Sequence, residues 1–426
     1  MSNAFNKEER VAFENLLEGF QDALVLSRNV SVYNSDSEMM ERAGDTIWRP
    51  MPYIASSINA APGVDISSSF PDNTQLAVPA TLGFSKSVPW TLNAKELRDQ
   101  LQEGRLGDAA RQKLASDINV ALMNVAANQG TLVVARPSAA TGFNDVAEAE
   151  AIMNEQGVPS YDRYFALSTR DYNGMAGNLA GRENLVANLT KTAYEQAYVG
   201  MIASFQMFKL DYANRLTAAA GTCTINTTGA QVDYAPEATS TAVGGQINVD
   251  NRYQTITVTD SSNVKAGDAF TIDGIEAVHH ITKQSTGELK TFRVISVPAG
   301  GTTLVISPPI IGATGTPTDA QAQYKNVEVA STSATASLNF LNIVDANVNC
   351  FWQKDALEIL PGRYAVPGDA GVAVMRASTD QGIEVVMQKF YDINTMTTKY
   401  RLDTLFGVVN KQPEMSGIML FGQTTP

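Results

Sequence analysis

Residues 249–274, VDNRYQTITVTDSSNVKAGDAFTIDG, decide the fold, because they read as short strands and tight turns while the chain on either side does not. Ile256 and Val258 alternate with polar neighbours, as do Phe270 and Ile272, which is the period of a half-buried strand. Asp273-Gly274 is a turn signal. Further strands are expected at 275–282, 288–297 (ELKTFRVISV) and 303–307 (TLVIS), and turns at this spacing predict an antiparallel sandwich or barrel. The flanks, KLDYANRL before and NVNCFWQKDALEIL after, belong to a mixed pattern, so the module, roughly 222–345, is an insertion whose ends meet.

Outward from the module, residues 6–28 fit an amphipathic helix in which Phe13, Leu16 or Leu17, Phe20 and Leu24 recur at helical steps. Glu14, Glu18 and Asp22 share the opposite face, either as a solvated surface or as a docking stripe for a basic partner. From 50 to 89 the chain is rich in Pro, Gly and Ser and weakly charged, an extended excursion that fits a segment lying on a neighbouring chain. Asn93 and Glu96 make a capping pattern that predicts a helix through AKELRDQLQE, interrupted at GRLG (104–107). A second helix, capped by Asp108 and striped by Leu114, Ile118, Leu122 and Val125, is expected to run to about Asn128 and stop at Gly130. TLVVA (131–135) then reads as a buried strand.

The chain has 426 residues, long enough for two or three units, and at 44% hydrophobic and 18% charged it is globular. Its net charge of -13 makes sequence-specific DNA binding improbable on average. The opening MSNAFNKEER has no apolar signal segment and no later run is apolar enough to span a membrane, so a cytosolic protein is expected. Cys223 and Cys350 bracket the module and are expected to be buried free thiols rather than a bridge. The two histidines, His279 and His280, are adjacent in an expected strand, where they face opposite ways and cannot share a metal. GNLAG (177–181) lacks the setting of a phosphate loop, and no catalytic, metal or cofactor motif is present, so no enzyme activity is expected.

Several stretches together resemble the major capsid (coat) proteins of short-tailed, double-stranded-DNA enterobacterial phages that carry an inserted Ig-like domain: DTIWRPMP (45–52), AARQKLASDINVALMNVAANQGTLVV (109–134), VDNRYQTITV (249–258), GDAFTI (267–272), FWQKDALEIL (351–360) and LFGVVNKQPEMSGIML near the C-terminus. The resemblance implies the α+β tailed-phage and herpesvirus capsid fold, with an inserted antiparallel β-barrel or Ig-like domain. It divides the chain into an N-terminal arm (1–45), an extended loop (46–89), a peripheral domain with a spine helix (90–130) and an axial domain (131–221). The inserted β domain (222–345), a second axial part (346–395) and a C-terminal peripheral part (396–426) follow.

By the same resemblance, pentamers and hexamers of the protein form an icosahedral shell, with a scaffolding protein and a portal protein as partners. The shell is assembled in the host bacterial cytoplasm and becomes the virion capsid. DNA is enclosed by containment, and no membrane or cofactor takes part. The acidic arm face, Glu14 and Glu18 with Asp22 added by helical spacing, resembles a dock for a basic scaffold segment. The loop APEATSTAVGG (235–245), with Glu237, Thr239, Ser240 and Thr241, sits where the family places an inter-capsomer loop, but its single charge favours hydrogen bonding or shape contact over ion pairing. Lys86 is the only lysine of the extended loop and lies at its end, so no covalent cross-link is expected. With the spine helix starting near 108 there is no room for a long cleavable segment, which implies a separate scaffold. The alternatives are a bacterial surface or adhesive protein with an Ig-like module, and an enzyme with an accessory β domain.

Overall fold

The computed structural model describes residues 10, 11, 13, 14, 16, 26–33, 46–51, 54, 62, 63, 65, 67, 70, 73–93, 100–180, 199–226, 231–242, 245–330, 335–364, 366, 371–379 and 382–423, with backbone alone at 100–105, 179, 180, 239–242 and 245–248. The fold is α+β, and it divides into two compact units.

The first unit takes Met1–Ile47, Pro79–Asn124 and Leu357–Val409. Its six-stranded sheet runs Ser31–Val32, Leu357–Pro361, Thr397–Asn410, Glu384–Asp392, Ala373–Ser378, with Phe84–Asn93 also paired to Thr397–Asn410. Cross-strand register sets Trp90 opposite Tyr400 and Phe84 opposite Phe406, and both pairs stack, with ring centroids 5.5 and 5.3 Å apart. Gly407 has to be glycine here, since a Cβ would sit 2.3 Å from the Thr81 carbonyl oxygen.

The helix expected to break at GRLG is instead one thirty-residue helix, Gln100–Gln129. A helix-interior glycine costs about 1 kcal/mol against alanine, and packing overrides it: Gly107 lies against Leu16 of the N-terminal helical turns, with space for no more than ordinary contact. The expected cap at Asn93 is also overturned, because Asn93 ends a strand paired with Thr397, and residues 94–99 lie outside the described residues.

The second unit takes Trp48–Val78, Val125–Ala356 and Asn410–Pro426. Its platform is a mixed sheet ordered Leu132–Ala135, Ser416–Leu420, Asn349–Gln353, Arg163–Ser168, Phe205–Leu210, Met201–Ile202. Arg163–Ser168 and Phe205–Leu210 are parallel, a pairing that needs a crossover, and the helix Thr169–Ala180 lies in that connection. Residues 177–180 of GNLAG form the end of this helix, and Gly181 lies outside the described residues. Phe165, Phe205 and Phe351 pack at centroid distances of 5.7 to 6.2 Å in the platform core.

The inserted module is a closed barrel. Its strands run Cys223–Thr224, Ser337–Phe340, Ala269–Val278, Ser285–Ser296, Thr303–Ser307, Gln254–Thr257, all antiparallel, with Val327–Val329 added against Ala269–Val278. An antiparallel bridge from Ile225 to Val258, with Thr259 N donating to Thr224 O and Asn226 N to Thr257 O, joins the last strand back to the first. Closure removes the free edges that a two-sheet sandwich would leave. Ile225, Ile256, Val258, Phe270, Ile272, Phe292, Val294, Leu304, Ile306 and Leu338 fill the interior.

Asp273-Gly274, expected as a turn, lies inside the strand Ala269–Val278, where the register shifts between Thr271 and Glu276 and Gly274 has φ 76°. It is a bulge, which bends the strand without ending it. That strand stops at Val278, so His279 and His280 occupy the following turn and not a strand. Entry and exit chains meet through Leu216 paired with Ala346 and through Asn342, which donates to Thr217 O and Asp268 Oδ1. Both cysteines are buried and free, and burial raises the Cys350 thiol to about 12.

Candidate functional site

The barrel meets the platform along one strand and one turn. In ELKTFRVISV, Phe292 and Val294 enter the barrel core, so strand alternation sends Thr291 and Arg293 outward. On a solvated barrel these would be wet, but Arg293 is 1% exposed. Its guanidinium donates to Ala127 O (2.9 Å), Gly130 O (3.3 Å) and Gly267 O (3.1 Å). Ala127 is in the last turn of the helix Gln100–Gln129, whose final carbonyls have no partner in the helix, and a cation there also complements the helix dipole. Thr291 Oγ1 adds a bond to Thr131 O at 2.8 Å. Burial lowers the Arg293 pKa to about 10, with Cys350 and Asp268 opposing, so it remains a cation at neutral pH.

Beside it, Lys290 Nζ donates to Glu414 Oε1 (2.6 Å) and to Gln156 Oε1 (2.8 Å). Asn326 Nδ2 reaches the same carboxylate oxygen at 3.2 Å, and His280 Nε2 stands 3.5 Å from Oε2. Burial works against the Glu414 charge, yet Lys290, His280 and Asn326 outweigh it and hold its pKa at about 2. Burial lowers His280 to about 4, against the pull of Glu414 and helped by Lys290, Lys283 and His279. The imidazole is therefore neutral at pH 7. His279 plugs the same junction: a Cβ on Gly157 would meet its ring at 2.9 Å. Arg252 ties the module to the C-terminal segment by donating to Asn410 O at 2.9 Å while paired with Asp250. A cavity of about 340 Å³ opens next to His280 and Glu414, with apolar walls that include Ile281, Pro309 and Tyr324.

This arrangement is a mechanical joint. Arg293, Lys290 and Glu414 are locked by hydrogen bonds, and a neutral imidazole stands beside the carboxylate. Among the described residues, no group of three or more His, Cys, Asp or Glu side chains is placed to hold a metal. No helix of the described residues is long and apolar enough to cross a membrane.

Of the residues singled out in the sequence, His279 and His280 fall in the joint, whereas Glu14 and Glu237 take no part in it. Glu14 is exposed on a helical turn whose Phe13 and Leu16 are buried, whereas Glu18 and Asp22 lie outside the described residues. The segment expected to be a loop contains an antiparallel hairpin, Thr239–Ala242 with Gly245–Asn248, so Thr239, Ser240 and Thr241 are strand residues. Glu237 is exposed at the hairpin's root, where its backbone N–H donates to Asn251 Oδ1 and its carbonyl accepts from Asn251 Nδ2. Lys86 sits in the strand Phe84–Asn93, opposite Thr404. The joint itself was not visible in the sequence. Arg293 alternates with core residues as a solvated charge does, Lys290 shares the parity of Phe292 and Val294 but is a charge that reads as solvated, and nothing in KQPEMSG marks Glu414.

Over residues 1–422 the sequence matches the family model described as P22 coat protein, gene protein 5. Among solved structures, the CUS-3 coat protein I-domain is 36% identical, with 29% of this chain and 99% of that one covered and a TM-score of 0.23. The capsid of the cyanophage P-SCSP1u is 10% identical, covering 93% of this chain and 86% of that one, with a TM-score of 0.43. A chain of Mycobacterium phage Che8 is 8% identical, at 92% and 93% coverage and a TM-score of 0.41.

Proposed function

The chain belongs to the P22 coat protein family, and from that premise we propose how its parts divide the work of a major capsid protein. Copies of it build the icosahedral shell of the virion; it is a structural protein and not an enzyme, and the adhesive-protein alternative falls away. The finer assignments follow from residues. The barrel acts as an accessory clamp, and the observation that carries this is Arg293, a buried barrel cation bonded to the carbonyls of Ala127 and Gly130 at the end of the spine helix. A module fixed there stiffens the helix on which the subunit is built.

The acidic arm face, Glu14, Glu18 and Asp22, receives a basic segment of a separate scaffolding protein; the exposure of Glu14 beside buried Phe13 and Leu16 supports that reading. The hairpin Thr239–Asn248, rooted at Glu237, reaches a neighbouring capsomer through backbone and hydroxyl contacts, since Thr239, Ser240 and Thr241 carry no charge. The seven-part division with the inserted domain at 222–345, pentamers and hexamers, a portal protein at one vertex and assembly in the host cytoplasm complete the proposal. DNA is contained and not bound by sequence, in keeping with the net charge of -13. Many modest contacts, multiplied by closure, make such a shell hard to dissociate.

The test is negative-stain electron microscopy of the coat protein expressed alone and with the phage's candidate scaffolding protein. Closed shells of uniform size are expected in the second sample only, and Glu14→Gln with Glu18→Gln should reduce their yield. Equal shell yield from that double variant would remove the arm from the scaffold site.

A further inference from the structure

Resting on the reading of residues 50–89 as a segment that lies on a neighbouring chain, we propose that the inserted barrel has a second function. Its short helix Asp319–Tyr324 is the seat that holds the root of the extended segment, so that residues 52–73 set out towards the neighbouring copy in a fixed direction. Barrel and root lie within one compact unit, since Trp48–Val78 is grouped with the barrel.

Glutamine is mostly exposed in folded chains, yet Gln323 is 4% exposed. A buried carboxamide has to place both its donor and its acceptor, and here both go to one residue of the extended segment. Gln323 Oε1 accepts from Thr74 N at 3.1 Å, and Nε2 donates to Thr74 O at 3.4 Å. Tyr324 Oη donates to the same carbonyl at 2.8 Å. These side chains pair with the backbone of the segment as an adjacent strand would. Without the segment Gln323 loses both bonds, so the helix is fully satisfied only with the segment seated on it.

Around these bonds Leu76, Ile311 and Tyr324 form a buried apolar cluster, against which Met51, Ile54 and Tyr234 pack. Met51 N donates to Leu76 O at 2.9 Å and Gln75 Nε2 donates to Met51 O at 2.7 Å, so the outgoing and returning chains are tied to each other as well as to the barrel. The seat is itself braced. Thr318 and Gln321 cap the helix reciprocally, and Gln321 Nε2 donates to Asp233 O at 3.0 Å. Just past the helix, Asn326 N donates to Ile311 O while Asn326 Oδ1 accepts from Ile311 N. Two chain ends held on one braced support leave it with a defined heading, whereas free ends sample many.

Hydrogen exchange of the unassembled full-length protein reads the seat. Gln323→Ala, which removes two bonds, should raise the opening constant over residues 46–51 and 74–81 by about 10²-fold, and Tyr324→Phe, which removes one, by about 10-fold. The barrel strand Ser285–Ser296 should be unchanged in both. Tyr324→Phe keeps its ring in the apolar cluster, so this arm survives if Gln323→Ala fails to fold. No rise over 74–81 in Tyr324→Phe would overturn the seat. Electron microscopy of shells assembled with the scaffolding protein reads the function, and the variants should give open or irregular shells. A loosened segment with uniform closed shells at the parent yield would make the contact packing alone and sink the proposal. The premise has its own readout: in shells of the parent protein, residues 50–89 should gain protection over the unassembled protein. Absence of that gain would overturn the neighbouring-chain reading, and with it the aim of the seat, even where the variants loosen the root.

Discussion

The sheet of the first unit and the joint of the second bury their side chains by different chemistry. In the sheet, Phe84 on Phe406 and Trp90 on Tyr400 stack across neighbouring strands, and Leu402, Leu405 and Val385 are buried around them. In the joint, Arg293, Lys290 and Glu414 are held by hydrogen bonds to defined partners. Apolar contacts are non-directional, so their loss is graded with area. A buried ion pair is all or nothing, because deleting one partner leaves the other charged and unpaired in a dry site. The first kind of contact sets how stable a unit is; the second fixes which arrangement it adopts and under what conditions.

The strongest way to break that contrast is Glu414→Ala, which strands the Lys290 ammonium. A loss of about 3–5 kcal/mol is expected in urea unfolding, and adding Lys290→Met should recover most of it. If the double variant is no better than the single, the pair is not what holds the joint. Arg293→Met comes next, at about 2–3 kcal/mol, since it orphans the Ala127 and Gly130 carbonyls; faster amide exchange at the end of the spine helix would confirm it.

In the sheet, Gly407→Ala forces the strand away from Thr81 and should remove about 1–3 kcal/mol by thermal melting. Tyr400→Leu is the mildest, losing about 1 kcal/mol of stacking on Trp90. That loss should be the same at pH 7 and pH 5.

Much of the architecture was readable because it is written in periodicity. The barrel strands around Ile256, Phe270 and Leu304, the helix striped by Leu114, Ile118 and Leu122, and the strand at 132–135 all follow local alternation. The errors share one cause. GRLG, Asn93 with Glu96, and Asp273-Gly274 are genuine local signals, and each was overruled by a partner far away in sequence: Leu16 against Gly107, Thr397 opposite Asn93, and the neighbouring strands that carry the chain through the bulge at Gly274. The loop with Thr239, Ser240 and Thr241 became a hairpin although its sequence has only weak alternation.

By itself the sequence determined the α+β class, the insertion of a β module into a mixed chain, the likeness to phage coat proteins and the lack of catalytic or metal-binding motifs. These rest on local patterns and composition, which a linear reading contains. Only the tertiary structure decided that the module closes into a barrel and that Lys290, Arg293, His280 and Glu414 lock it to the platform. Closure depends on Ile225 meeting Val258, and the lock on side chains from residues 280 to 414 coming together at one site. Burial is a property of what the rest of the chain brings against a side chain, so the same lysine that reads as solvated in sequence becomes the bolt of the joint in three dimensions.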